Sequence, residues 1–128
     1  MTYLKLYAIA LGFFLVIDML WLGVVAKKVY DRYLGGYIGK VKWIPAIIFY
    51  LVFVAGLVFF VIYPAVGRES LNYAIYASMF FGFVAYSTYD LTNMATLKDW
   101  PWQIVLIDIA WGMILGGIVS TVTYLIAR

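Results

Sequence analysis

The sequence predicts an all-α fold, an integral membrane bundle of four transmembrane helices forming a single domain over residues 1–128. Three observations carry that prediction. The chain is 67% hydrophobic and 12% charged, whereas a soluble domain is about 45–50% apolar and about a quarter charged. A chain this short buries too little of its surface to hide such an excess, so the excess must face lipid. Four apolar runs, 3–26, 43–63, 71–97 and 102–126, each reach the roughly 20 residues needed to cross the hydrocarbon. Most of the Lys and Arg lie between these runs, where they orient a membrane protein.

The first run carries Asp18 and is too long for the apolar region of a signal peptide, so it is expected to stay as a helix. The second opens with Trp43-Ile44-Pro45, an interfacial indole followed by a proline of the kind tolerated in a first turn. It is expected to stop at Tyr63-Pro64, and it holds no charged residue. The third starts near Ser70 and runs past Asp90 to about Leu97, long enough to require tilt, a break, or an end outside the hydrocarbon. Lys98-Asp99-Trp100-Pro101-Trp102 turns the chain into the fourth.

Four spans put both termini on one side of the membrane. The other side then holds Lys27, Lys28, Arg32, Lys40, Lys42 and Lys98, against Lys5, Arg68 and Arg128 on the side of the termini. The excess of positive charge predicts that loop 27–42 is cytoplasmic and that both termini face outward. The same loop charges could also hold anionic lipid headgroups. Tyr30, Tyr33, Tyr37, Trp43, Trp100 and Trp102 read as the aromatic belt on that side. A net charge of +3, spent on topology, leaves no case for a nucleic-acid partner.

The chain has neither cysteine nor histidine. Disulfides, thiolate nucleophiles and sulfur-bound zinc are excluded, and acid–base work falls to carboxylates or tyrosines. Three carboxylates lie inside the apolar runs: Asp18, Asp90 and Asp108. Counted from Lys27, Lys98 and Trp102, all three lie about 9–14 Å inside the cytoplasmic boundary. An acid at the bilayer centre costs about 2.5–3.5 kcal/mol on insertion scales, so three at one level mark a polar pocket open to the cytoplasmic side. Such acids must be protonated, hydrated, bound to a cation, or met by snorkelling Lys27, Lys28 or Lys98.

Spacing places the acids on packed faces. Ser78, Gly82, Tyr86, Asp90 and Asn93 recur every three or four residues along the third helix, and Asp108, Gly112, Gly116 and Ser120 every four along the fourth. Small residues at that period let backbones approach closely in lipid, so the fourth helix should be central. Ile17-Asp18-x-x-Trp21 is echoed by Ile107-Asp108-x-x-Trp111, an acid and an indole one turn apart. Structural roles compete with each functional one. Asp108 lies in the early turns of its helix, where the dipole favours an anion, and Asp90 could close an irregular turn. Trp21 and Trp111 could simply pack. Asp18, in the C-terminal half of its helix, has no such explanation and needs a function or a partner.

The run Tyr89-Asp90-Leu91-Thr92-Asn93-Met94-Ala95-Thr96-Leu97, followed by Trp100-Pro101 and Ile107-Asp108-Ile109-Ala110-Trp111-Gly112, resembles a family of small, four-helix bacterial membrane proteins catalogued as a domain of unknown function. The likeness extends over the whole chain and implies the same polar positions: Asp18, Asp90, Asn93, Asp108 and Trp111.

The first functional expectation is a small carrier or channel, with Asp18, Asp90, Asn93, Asp108, Trp21, Trp111 and Tyr86 binding a cation or proton-linked solute. Its size and acid-bearing first helix are similar to small multidrug transporters. Those use a membrane Glu and near-balanced loop charge, whereas Asp and lopsided charge here imply one inserted orientation. A homodimer within membrane lipid is expected, because a single bundle has little room for a lined pathway. One alternative is a membrane-embedded enzyme or accessory factor acting on a lipid or isoprenoid, with Asp90, Asn93 and Asp108 as candidate Mg²⁺ ligands. The other is a non-catalytic scaffold whose carboxylates tie helices together.

Overall fold

A computed structural model of the chain describes residues 2–26, 28, 32 and 43–128. Tyr30, Tyr33 and Tyr37 of the expected belt, and Lys27, Lys40 and Lys42 of the basic loop, lie outside the described residues. Within them the protein is entirely helical and forms four rods. The first is α1 (Tyr3–Leu20), capped by the Thr2 hydroxyl and drawn out into a π-helical stretch, Trp21–Ala26. The second is α2 (Trp43–Leu57), a π-helical stretch Val58–Ile62, and the short α3 (Tyr63–Arg68). Next come α4 (Leu71–Thr96) and α5 (Trp102–Ala127). Segments Tyr3–Val24, Ile44–Arg68 and Trp102–Ala127 are long and apolar enough to cross a membrane. The third rod, α4, is as long as α5 but less apolar, because it carries Asn72, Tyr76, Tyr86, Asp90 and Asn93.

The second rod does not stop at Tyr63-Pro64 as the sequence suggests; it continues to Arg68. Proline is tolerated where a new helical turn begins, and the Tyr63 amide bonds Val58 O in the wider π register. The carbonyl that Pro64 cannot serve, that of Phe60, accepts the Tyr73 hydroxyl of α4 at 2.9 Å. The rod ends instead at Glu69, whose left-handed backbone (φ 52°) reverses the chain. Ser70 then caps α4, its hydroxyl accepting from the Tyr73 amide at 3.0 Å. Despite its length α4 continues unbroken through Asp90 to Thr96.

Leu6, Ala10 and Phe14 of α1 meet Val54, Leu57, Val61 and Ile62 of the second rod and Leu115 and Val119 of α5 in a buried core. Outward-facing side chains are as apolar as the core: Val16, Ile44, Phe80 and Leu106 are 59–74% exposed, the pattern of a bundle solvated by lipid. At the end bearing the N-terminus, Tyr3 stacks on Tyr63 with centroids 4.0 Å apart. At the opposite end Trp100 packs edge-on against Tyr89.

The closest packing is between α4 and α5. A methyl group on Gly82 would collide with the Gly112 carbonyl, one on Gly112 with the Tyr86 ring, and one on Gly116 would lie 2.9 Å from Ser78 O. The helices are antiparallel, and each step of four along α5 matches a step of four back along α4. That register brings Asp108 level with Tyr86, and Asp90 one turn further toward the Trp100 end.

Candidate functional site

The apolar period that buries Leu6, Ala10 and Phe14 on α1 carries Asp18 inward with them, leaving it 4% exposed. There it meets a donor from the far end of the sequence. The Trp111 indole N–H donates to Asp18 Oδ1 at 3.1 Å, and Tyr50 of α2 places its hydroxyl beside the same carboxylate. One turn beyond Asp18, Trp21 stacks on Trp111 with ring centroids 4.3 Å apart and planes within 8°. The repeated Asp-x-x-Trp pattern thus brings its two indoles together, while the Asp18 bond crosses from one copy to the other.

Asp90 and Asp108 occupy the α4–α5 seam. Asp108 is 5% exposed, and Asp90 is fully enclosed. The two carboxyl groups are neighbours, with Trp100 close to Asp90. Among the described residues no donor stands within ordinary hydrogen-bonding distance of either Asp90 oxygen, and the polar groups that face it are the Asp108 carboxyl group and the Trp100 indole. Tyr86 connects the two halves of the site. Its ring rests on Gly112, Phe49 and Phe53 meet it edge-on, and Asp18, Tyr50, Asp108 and, farthest in influence, Asp90 are its polar neighbours. Asn93, half-buried one turn beyond Asp90, lies beside the Tyr89 hydroxyl.

Residues 3–125 match the model of a family described as Predicted membrane protein (DUF2177). The chain belongs to that family. No curated protein and no solved structure matches it. The DUF2177 match spans every residue of the site, and the family description states a membrane protein without naming an activity.

In this DUF2177 protein the residues singled out in the sequence, Asp18, Trp21, Tyr86, Asp90, Asp108 and Trp111, come together in one half of the bundle, with Asn93 at its edge. Tyr50 was missed. It sits in a helix without charge, yet its position seven residues after Trp43 puts a hydroxyl about 10 Å deep, at the level of the acids. Trp100, expected in the aromatic belt, is also a neighbour of Asp90. Among the described residues, no group of three His, Cys, Asp or Glu is placed to hold a metal ion. Chemically the site offers acceptors: one carboxylate already served by an indole, and one enclosed carboxyl group with open acceptor positions.

Proposed function

We propose that the protein is a small carrier or channel whose buried carboxylates bind a cation or a proton-linked solute. Asp90 carries the reading: it is fully enclosed, and among the described residues no donor stands within ordinary hydrogen-bonding distance of its oxygens. A carboxyl group in that position is expensive unless a proton or cation neutralises it. The adjacent Asp108 adds oxygen ligands from the same seam. The loop charges around Lys28 and Lys98 favour a cytoplasmic mouth in a bacterial inner membrane, and the limited interior of one bundle favours a homodimer.

A second reading has its own support at Asp18. Its bond to Trp111, with Tyr50 alongside, ties α1, α2 and α5 together, which is what a structural carboxylate does. The functional acid of the carrier is therefore Asp90, and Asp18 holds the frame around it.

The test uses purified protein in vesicles loaded with a pH-sensitive or cation-sensitive dye, under imposed proton, Na⁺ and K⁺ gradients. Flux above that of protein-free vesicles, retained in Asp18→Asn and lost in Asp90→Asn, is the expected result. Wild-type flux equal to that of empty vesicles refutes the reading.

A further inference from the structure

The buried stripe on α5 does not end at the glycines. Asp108, Gly112 and Gly116 are followed on the same face by Ser120 and Thr123, both fully enclosed. Among the described residues neither the Ser120 nor the Thr123 hydroxyl has a hydrogen-bond partner. A hydroxyl inside a helix usually bonds a carbonyl one turn back, and four others here do so. Ser78 donates to Ile75 O at 2.9 Å, Ser87 to Val84 O at 3.3 Å, Thr88 to Val84 O at 2.7 Å and Thr96 to Thr92 O at 2.8 Å. Ser120 and Thr123 leave that local solution unused, although nothing apolar gains from enclosing an unsatisfied hydroxyl.

The surroundings allow another partner. The register that sets Gly116 on Ser78 brings Ser120 level with Ala74. At that level the buried side chains clustered with Tyr124 are the small Ala65 and Ala74, with Val66 and Tyr73 packed against them from the rim. Two enclosed donors next to small residues suit an ordered water, which needs several polar partners and little room. From Asp108 to Thr123 the stripe covers about 22 Å of helix, most of the roughly 30 Å hydrocarbon core. It is polar at both ends, and the contact between Gly82 and Gly112 separates them.

We propose that Ser120 and Thr123 form a water-binding station in the half of the bundle nearer the termini, and that the α4–α5 seam is the path joining it to Asp90, closed at the Gly82–Gly112 contact. This deepens the carrier reading and rests on it for its purpose, but the station can be tested separately. The cysteine-free chain makes that test clean. Single Ser120→Cys and Thr123→Cys variants in vesicles would be treated with a water-soluble methanethiosulfonate. Leu115→Cys and Val119→Cys, from enclosed apolar positions on the same helix, serve as dry controls. Because the thiolate is the reacting species and needs water to form, cysteines at 120 and 123 should react at least about tenfold faster than the controls. Rates equal to the controls overturn the station. Reactive cysteines in a protein without flux leave the station standing and remove the carrier reading. Flux with unreactive cysteines keeps the carrier and overturns the path. Ser and Cys are close in volume, and a folded Ser120→Cys protein is verified by a wild-type elution profile before labelling.

Discussion

Asp18 and Asp90 are the same residue type, enclosed to nearly the same degree in the same half of one bundle, and they are treated in opposite ways. Asp18 takes an indole N–H from α5 and has a tyrosine hydroxyl alongside. Asp90 lies on the α4–α5 seam with only the Asp108 carboxyl group and the Trp100 indole facing it, and among the described residues no donor within ordinary hydrogen-bonding distance of its oxygens. Where a buried polar group is satisfied, it holds helices together; where it is not, the fold carries a cost that only a ligand or a proton can relieve. Burial alone therefore does not identify a functional acid, and the state of its hydrogen bonds does.

The largest effect should come from forcing apart the α4–α5 seam on which Asp90 lies. In Gly82→Ala the added methyl meets the backbone of Gly112 rather than the end of a flexible side chain. The seam must open, at about 3 kcal/mol or more by the cost of overpacking a tight site. Thermal unfolding in detergent should show the loss, and an unchanged midpoint would mean that the two backbones do not touch. The comparison itself is tested by the paired amides. Asp18→Asn disturbs the bond to the Trp111 indole and should cost about 1 kcal/mol. Asp90→Asn gives up no short bond, only the looser approach of the Asp108 carboxyl group and the Trp100 indole, so its midpoint should equal or exceed that of wild type, as when an acid held for function is removed. Equal losses in the two variants would erase the distinction between them.

How far this could be read in advance depended on whether the physics was local. The depth of the three acids follows from counting residues to Lys27, Lys98 and Trp102, and the α4–α5 seam from small residues every four positions. Both rest on helix geometry alone. The repeat of Asp and Trp one turn apart was visible, but that the Asp of one copy would take the indole of the other depends on the register of two helices about 90 residues apart in sequence. Tyr50 gave little local signal, being a lone hydroxyl in an apolar run. The misplaced end at Tyr63-Pro64 has the same origin. Proline removes a donor locally, yet whether the helix stops depends on a donor arriving from elsewhere, and Tyr73 supplies it.

That last contact tests the same rule at the other end of the bundle and should give the smallest effect. The Phe60 carbonyl lacks its usual helical donor because of Pro64, and the Tyr73 hydroxyl replaces it at 2.9 Å. Tyr73→Phe should cost about 0.6 kcal/mol, the average for a hydrogen bond between helices in a membrane protein. A double-mutant cycle isolates its cause. In a Pro64→Ala background the residue at 64 can donate along its own helix, so Phe60 no longer depends on α4, and Tyr73→Phe should cost measurably less than in wild type. An identical cost in both backgrounds would show that the hydroxyl matters through packing or solvation and that the orphaned carbonyl is not what it serves. A reduced cost would establish, on a backbone acceptor with no functional role, that this fold supplies partners across helices where it can. The bare carboxyl group of Asp90 then stands out as the place where it does not.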